Sequence, residues 1–228
     1  MKVALAIIAT CKYDIFVEPF LESVKKHFFT GYDVNVYLFS DKDIQIEESR
    51  LKITSIKIEH KPFPYATLLR YKHFDENKEK FDCDYLFYSD VDMKFVADVG
   101  EEILNDGLTA TIHPGFYKGG WGSNNVDIIS KAWLPEPKRV VYCAGGFQGG
   151  KKDVYLTACN VLNARIQNDE NRGVMAEWHD ESHWNWYLKT MDISTKLLGP
   201  SYCYPENWVM PFERKLLALD KNHAKLRS

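Results

Sequence analysis

The stretch DYLFYSDVD (residues 84–92) joins an apolar and aromatic run to two aspartates, Asp90 and Asp92. The run is bounded by charge and predicts a short buried β-strand over 84–89. Side chains two apart in an extended segment point the same way, so both carboxylates can face a ligand beyond the carboxyl end of the strand, where open α/β sheets bind their ligands. Paired carboxylates there suit a hard divalent cation, and such a cation suits a diphosphate. The alternative is a turn that carries two solvated aspartates.

Strand-like and helix-like segments alternate through the first half of the chain. Further strands are predicted over 3–9, 34–39 and 55–59. Asp14 is expected to cap a helix that runs to about residue 27, and a second helix is expected over about 66–80, after the breaks at Pro62 and Pro64. This βαβ rhythm predicts an α/β fold with a mostly parallel sheet and helices on its faces.

The second half is less regular. A strand is predicted over 107–114, a loop rich in Gly, Ser and Asn over 117–127, and helices over about 152–167 and 178–189. The glycine run GGFQGG (145–150) precedes the first of these helices. Glycines before a helix can cradle a phosphate, but this run matches neither the Walker A nor the Rossmann pattern. The alternative is close approach of two backbones.

Composition excludes several classes of protein. A length of 228 residues suits one domain, and a net charge of -3 without a long basic run argues against nucleic acid or an anionic membrane as partner. With 14% aromatic residues, some rings are expected to line a ligand site and most to form core. The apolar N-terminus predicts a first strand rather than a signal peptide, and the other apolar segments are too short to span a bilayer. The expected location is therefore cytoplasmic.

Cysteine and histidine spacing argues against structural metal. The five cysteines are odd in number, widely spread and contain no Cys-x-x-Cys pair, which disfavours a disulfide framework or a structural zinc site. His179 and His183 are four residues apart, like the ligands of a zinc helix. No Glu directly follows the first histidine, so the zinc-protease pattern is not met.

Five ordered segments carry a family resemblance: YLFYSDVDM (85–93), HPGFY (113–117), AGGFQGG (144–150), WHDESH (178–183) and KNH (221–223). Together they resemble the family of retaining glycosyltransferases that contains the histo-blood-group A and B enzymes and the α-1,3-galactosyltransferase. The resemblance runs from about residue 12 to 227. It implies a single nucleotide-sugar-binding (GT-A type) domain over 1–228. The donor-binding half would span about 1–110, the acceptor-binding half about 111–220, and a flexible tail 221–228.

The resemblance also implies the reaction. Such an enzyme would move N-acetylgalactosamine or galactose from a UDP-sugar to a galactoside acceptor in α-1,3 linkage, with retention of configuration. Bacterial relatives with Asn-x-Asn work without metal, whereas the acidic pair here implies a Mn²⁺ cofactor. Without the membrane anchor of the vertebrate members, the chain resembles a soluble, catalytic-domain-only microbial or viral form. Its partners would be the UDP-sugar and a glycan.

Site residues follow from the resemblance position by position. Asp90 and Asp92 match the metal-binding pair, and Glu181 matches the central carboxylate close to the anomeric carbon. The segment around Tyr13 matches the part that holds uridine, and Arg70 matches an arginine beside the donor sugar. The full donor-binding set is Ala9, Thr10, Lys12, Tyr13, Arg70, Val91, Ala144, Gly145, Gly146, Asp180, Lys221 and Arg227. Lys221 and Arg227 belong to a tail that closes over UDP.

The acceptor-binding set implied in the same way is His113, Trp178 and Glu206, where Glu206 stands in place of an acid of the vertebrate members. Residues 118–131 fit the family pattern poorly. In the family, the tripeptide at 144–146 tunes the donor pocket. Gly146 adds no side chain, which favours an acetamido group and hence UDP-N-acetylgalactosamine over UDP-galactose.

Two alternatives of other classes remain at this level. One is a non-catalytic glycan- or UDP-sugar-binding protein on the same fold, against which the intact Asp90, Asp92 and Glu181 count. The other is an Asp-x-Asp phosphatase, with Asp90 as nucleophile and Asp92 as acid and base. A phosphatase needs further lysine and acidic motifs that the sequence does not supply.

Overall fold

A computed structural model describes residues 1–44, 46 and 51–227, without the side chains of His223 and Arg227. The strands are β1 Val3–Ala9, β2 Val34–Ser40, β3 Lys52–Lys57, β4 Tyr85–Ser89, β5 Met93–Phe95, β6 Leu108–Ile112, β7 Cys143–Lys151, β8 Thr195–Leu198, β9 Tyr204–Pro205 and β10 Leu216–Ala218. The α-helices are α1 Val17–His27, α2 Tyr65–Leu68, α3 Arg70–Glu76, α4 Lys152–Asn171, α5 His179–Thr190 and α6 His223–Arg227.

A seven-stranded sheet in the described residues has the order β3-β2-β1-β4-β7-β6-β8. Strands β3, β2, β1 and β4 are parallel to their neighbours, and β6 is parallel to β8. β7 runs antiparallel between β4 and β6. The predicted α/β fold with a mostly parallel sheet is confirmed. Because β7 runs the other way, its amino-terminal end lies at the same edge as the carboxyl ends of β1, β4 and β6.

Side-chain alternation along the strands divides the core into two layers. Leu5 and Phe87 pack with α1 on one face of the sheet, and Ala6 and Tyr88 pack with α3, α4 and α5 on the other. β1 is buried on both faces, which is why its sequence is apolar at consecutive positions rather than alternating. The two layers hold the loops at the carboxyl edge of the sheet in place.

The structure corrects two of the predicted helices. Asp14 does not cap α1, because a 3₁₀ helix over Cys11–Phe16 precedes it and the Asp14 carboxylate instead binds Lys42 Nζ at 2.6 Å. The helix expected over 66–80 is divided into α2, α3 and a 3₁₀ turn at Lys78–Lys80. The break falls at Leu69, where ψ is 3°. It places Arg70 at the start of α3, within reach of the sheet.

The glycine run at 145–150 lies within strand β7, not in a phosphate-binding turn. A Cβ at Gly149 would lie 2.4 Å from the Leu86 carbonyl oxygen, closer than any side chain can approach. Gly150 has a φ of 142° and would meet the Gly107 carbonyl oxygen at 2.3 Å. Close backbone approach therefore explains these two glycines.

Two further observations concern the chain as a whole. All five cysteines lie in the described residues, and each is free. Across the described helices, none combines the length and the apolar character that a bilayer crossing requires.

Candidate functional site

A cavity of about 170 Å³ opens at the carboxyl ends of β1 and β4. Its lining brings together six residues that the sequence assigned to donor or metal binding: Thr10, Tyr13, Asp90, Val91, Asp92 and Lys221. Cys11 adjoins it with a φ of 56°, a conformation that costs energy in a non-glycine residue and that is typical of functional sites. The end of β1 therefore faces a ligand-sized space, lined by Ile8 and Thr10.

 Ala9 itself is fully buried within the core and does not reach the cavity.

The acidic pair, Asp90 and Asp92, lines this cavity. Asp90 donates its backbone N–H to the Gly146 carbonyl at 2.9 Å, and its Oδ1 accepts the Tyr88 hydroxyl at 2.5 Å. Asp92 contacts the Lys221 ammonium. Burial and the neighbouring Asp90 carboxylate raise the pKa of Asp92, and Lys221 opposes that rise. A site that holds an ammonium against a buried carboxylate is one that attracts cations.

The donor set fits a hard divalent ion only in part. Two carboxylates supply oxygen ligands of the kind that Mn²⁺ and Mg²⁺ accept. No group of three or more His, Cys, Asp or Glu side chains suited to a metal occurs in the described part of the chain. The remaining ligands would therefore come from a diphosphate and water, which is how such ions are held at nucleotide sites.

Arg70 joins the acidic pair to the helix that carries Glu181. Its guanidinium is buried, 2.9 Å from Asp180 Oδ2 and 3.5 Å from Asp90 Oδ1. It also donates to the Gly145 carbonyl at 2.6 Å and lies over the Tyr88 ring at 4.1 Å. Burial opposes the charge on Arg70, but the surrounding Asp180, Tyr88 and Asp90 raise its pKa well above the usual value. Arg70 is therefore a buried cation within the site rather than one partner of a helix-surface ion pair.

Glu181 lies in the first turn of α5, facing the start of β7. Its Oε2 accepts the Gly145 N–H at 2.7 Å. Burial raises the pKa of Glu181 to about 7, despite this hydrogen bond to the carboxylate. Burial likewise raises the pKa of its neighbour Asp180, and Arg70 opposes the rise. Glu181 does not line the cavity itself, but Gly145 and Arg70 connect it to Asp90, which does. A carboxylate whose pKa lies near neutral in such a place is typical of a catalytic group.

A register shift in the sheet makes these contacts possible. Between β6 and β7, Ala110 pairs with Gln148 whereas Thr111 pairs with Ala144. Residues 145–147 therefore have no ladder pairing with β6, although the Phe147 carbonyl accepts the Thr111 hydroxyl at 3.0 Å. The Gly145 N–H and carbonyl are left to bind Glu181 and Arg70 instead of closing the ladder. Such irregularities in β-strands are common next to active sites.

The expected acceptor residues lie on three separate segments, after β6, before α5 and after β9. His113 follows β6, and its ring lies 5.7 Å from that of Tyr142. Trp178 immediately precedes α5 and is half exposed, as a sugar-binding ring would be. Glu206, expected to bind the acceptor, already accepts a hydrogen bond within the chain. Its Oε2 accepts the Asp220 N–H at 2.9 Å, so it also holds the root of the C-terminal tail.

The tail lies against the donor cavity. Leu226 of α6 lines the cavity, and Lys12 Nζ donates to the Lys225 carbonyl at 3.1 Å. Lys12 thus contacts the tail, although the sequence suggested a contact with uridine. The Arg227 side chain and Ser228 lie outside the described residues, so the expected role of Arg227 stays a prediction.

The histidine pair does not form a zinc helix. His183 is buried, with Nε2 3.6 Å from Asp169 Oδ2, and burial lowers its pKa to about 3. His179 has a φ of 48° and its ring packs edge-on against Phe63 at 5.1 Å. The two side chains therefore make contacts with different parts of the fold.

Sequence reasoning missed several residues of the site. His60, Phe63 and Thr67 line the cavity from the loop and helix that precede Arg70, and Tyr88 lines it from β4. His60 Nδ1 lies 3.2 Å from Thr10 Oγ1. Tyr88 could have been found by period-2 alternation, since it lies two residues before Asp90. The other three lie in the loop before α2 and in α2 itself, a helix of one turn. Neither segment is long enough for a hydrophobic period to show which side chains face the sheet edge.

Comparisons with known proteins agree with this geometry. A family model described as Glycosyltransferase family 6 matches residues 1–228. The chain is 31% identical over 240 residues to histo-blood group ABO system transferase 1 of Rattus norvegicus, covering 99% of the chain and 68% of that relative. It is 32% identical over 245 residues to globoside alpha-1,3-N-acetylgalactosaminyltransferase 1 of Canis lupus familiaris, covering 100% and 69%. It is 25% identical over 231 residues to the O-antigen biosynthesis glycosyltransferase WbnI of Escherichia coli, covering 97% and 95%.

Proposed function

The chain belongs to glycosyltransferase family 6 and is a glycosyltransferase, and from this premise we propose that it transfers N-acetylgalactosamine, or galactose, from UDP to a galactoside acceptor. The new linkage would be α-1,3, formed with retention of configuration. The observation that carries the proposal is the contact chain Asp90–Arg70–Asp180, which brings the acidic pair and the helix of Glu181 to one sheet edge. The whole chain, residues 1–228, would act as a single GT-A-like domain.

The donor would lie in the cavity between β1, β4 and the tail. Tyr13 and Val91 supply apolar surface for uracil, and Thr10 supplies a hydroxyl beside it. The diphosphate would lie next to Asp90, Asp92 and Lys221. A Mn²⁺ ion held by the two aspartates would neutralise charge on the UDP leaving group as the glycosidic bond breaks. Lys221 would add a second positive charge from the tail.

The transferred sugar would lie between Asp180, Glu181 and the glycines of β7. Arg70 holds Asp180 in place, and the Gly145 N–H holds one oxygen of Glu181. A carboxylate beside an oxocarbenium-like centre stabilises its positive charge, whether it bonds to the anomeric carbon or supports attack from the front face. His113, Trp178 and Glu206 would bind the acceptor.

The direct test is a transfer assay on a glycan array with UDP-N-acetylgalactosamine and UDP-galactose, in parallel with measurement of released UDP. We expect UDP release to rise on addition of a galactoside. A non-catalytic binding protein would bind UDP-sugar or glycan without releasing UDP. An Asp-x-Asp phosphatase would release phosphate from monoesters without any acceptor sugar.

The donor preference is tested at Gly146. A Cβ there would lie 3.2 Å from Asp90 Oδ2 and 3.3 Å from Met93 Sδ, so an alanine would take space beside the donor. We expect Gly146→Ala to shift the kcat/KM ratio of the two donors towards UDP-galactose by roughly 10–100-fold, the scale of one or a few carbon atoms in a pocket. The added methyl group would also push against Asp90, but this would slow transfer from both donors equally. The ratio of the two kcat/KM values is therefore not affected by it.

The matched control is Gly199→Ala. An added Cβ at Gly199 meets nothing within 4 Å. The donor ratio of this variant should equal that of the wild type. A wild-type kcat/KM that is higher for UDP-galactose would contradict the proposed preference for the N-acetylated sugar.

The closing of the tail is tested by proteolysis. In the described part of the tail, Lys221 contacts Asp92, Leu226 lines the cavity, and the Lys225 carbonyl accepts a hydrogen bond from Lys12. UDP and Mn²⁺ would add charge-assisted bonds to these contacts. We expect trypsin to cleave after Lys221 and Lys225 more slowly when both are bound. Deletion of 221–228 should leave the domain folded and weaken UDP binding by roughly tenfold or more, as the loss of charge-assisted bonds predicts.

Cleavage after the exposed Lys118, on the loop that follows β6, serves as the internal control for trypsin activity. Its rate should not depend on UDP and Mn²⁺. Equal protection of the tail with and without these ligands would mean that the tail is not a lid.

A further inference from the structure

Lys189 lies two turns along α5 from Glu181, in surroundings that are unusual for a lysine. Its Nζ donates to Asn185 Oδ1 at 2.9 Å and to Asn124 Oδ1 at 2.8 Å. No carboxylate of the described residues lies within ion-pair distance of this ammonium. Burial lowers the pKa of Lys189 to about 8. The ammonium also lies over the Tyr142 ring, 5.4 Å from its centre, so two neutral amides and one aromatic face hold this half-buried cation.

On the inner side, Lys189 reaches the catalytic helix and the sheet through Asn185. The fully buried Asn185 amide donates to the Cys143 carbonyl at 2.7 Å and to the Glu181 carbonyl at 2.9 Å. Its Oδ1 accepts the Cys143 N–H at 2.9 Å. Asn185 thereby fixes α5 against the start of β7, two residues before the Gly145 N–H that binds Glu181.

On the outer side, Lys189 holds the loop over 119–125. Asn124 is buried and its amide contacts the Trp121 carbonyl. Gly122, with a φ of 65°, would place a Cβ 2.3 Å from Tyr142 Cβ, so the loop packs tightly on the residue next to Cys143. Asn125 Oδ1 accepts the Glu177 N–H at 3.0 Å, beside Trp178. The loop begins near His113 and is tied next to Trp178, and it carries the exposed Trp121.

We propose that Lys189 is a positioning residue for acceptor binding: it couples the loop 119–125, with Trp121, to the helix of Glu181. Asn124 of the loop and Asn185 of α5 both accept a hydrogen bond from this one ammonium. The same group therefore fixes the loop against the helix. The ligand of the loop would be the sugar of the acceptor that extends beyond the galactoside, because an exposed indole face suits a pyranose ring. This inference rests on the proposed transferase function.

The test compares Lys189→Met, which keeps the unbranched chain and removes both hydrogen bonds, with Lys189→Arg, which keeps a cation. Asn124→Ala removes the loop-side contact and leaves α5 unchanged. For Lys189→Met and Asn124→Ala we expect the acceptor KM to rise roughly tenfold, the scale of one charge-assisted hydrogen bond. The KM for the UDP-sugar and the rate of donor hydrolysis should stay within about twofold, because Asn185 keeps its own hydrogen bonds to Cys143 and to the Glu181 carbonyl in both variants. Lys189→Arg should recover part of the loss.

Hydrogen exchange supplies a readout that does not need activity. Amides over 119–125 should exchange faster in Lys189→Met and Asn124→Ala, while those of β7 keep their protection. The double variant should lose less than the sum of the two single losses, since both single variants remove the shared Lys189–Asn124 contact. Lys151→Met, an exposed lysine, is the matched control. Unchanged exchange in the loop, or an equal loss for donor and acceptor, would overturn the proposal. If the wild type transfers no sugar, the proposed function fails, and the exchange result still decides the role of Lys189 in the loop.

Discussion

Glu181→Gln is expected to lower transfer by roughly 10²–10³-fold or more while the protein stays folded, because the group that stabilises positive charge at the anomeric carbon is lost. Glutamine keeps an oxygen that can accept the Gly145 N–H. The variant should therefore bind UDP with nearly the affinity of the wild type. The measurements are kcat with the preferred donor and acceptor, and UDP affinity by calorimetry.

The same carboxyl predicts a pH dependence. The pKa of Glu181 is raised from 4.5 to about 7 in the folded chain. Its charged form is required, so kcat/KM should fall as the pH drops through about 7. The folded state binds the proton more tightly than the unfolded state, so this group's contribution to the free energy of unfolding is complete below pH 4.5 and is lost as the pH rises through about 7. Glu181→Gln should therefore raise the free energy of unfolding at pH 8 by roughly 1–3 kcal/mol.

The control for both effects is Glu79→Gln, which changes an exposed carboxylate far from the cavity. It should alter neither the activity nor the pH profile. A Glu181→Gln variant that retained more than about a tenth of the wild-type kcat would contradict a central role for the carboxylate, since a transition-state group of this kind is worth more than that.

Asp92→Asn, or removal of metal with EDTA, is expected to reduce transfer by roughly 10²–10³-fold, because a charge that balances the leaving diphosphate is lost. Added Mn²⁺ should restore the wild type after chelation and should not restore the variant. Mn²⁺ binding itself can be followed by electron paramagnetic resonance in the presence of UDP. Asp92→Asn should weaken that binding independently of any assay of transfer.

Lys221 bears on the same test, because its ammonium contacts Asp92. A metal ion at Asp92 would have to displace that ammonium towards the diphosphate. Asp106→Asn, which changes an exposed carboxylate at the far end of the sheet, is the matched control and should bind Mn²⁺ like the wild type. Full activity of the wild type in chelator would contradict the metal proposal.

Local sequence was sufficient to predict the bounds of elements that have a clear hydrophobic pattern with a marked end. β1 was predicted to the residue, β4 within one residue, and α5 within one residue at each end. The acidic pair was placed correctly at the end of β4, because a buried run followed by Asp-x-Asp carries both the strand and its boundary. The alternation of strand and helix was enough for the mostly parallel sheet, since parallel strands require crossover connections.

Tertiary structure alone decided the contacts between segments that are distant in sequence. Arg70 and Asp180 are 110 residues apart, and only the tertiary packing, with α2 against α5 and α3 against α4, makes them a buried ion pair. The register shift of β7 leaves the Gly145 N–H and carbonyl available, and nothing in GGFQGG distinguishes that strand from a phosphate-binding turn. The Lys189 network likewise joins a loop, a helix and a strand through neutral amides. The physical reason is that a local pattern reports which face of an element is buried, whereas hydrogen bonds across elements depend on where the packed core places each face.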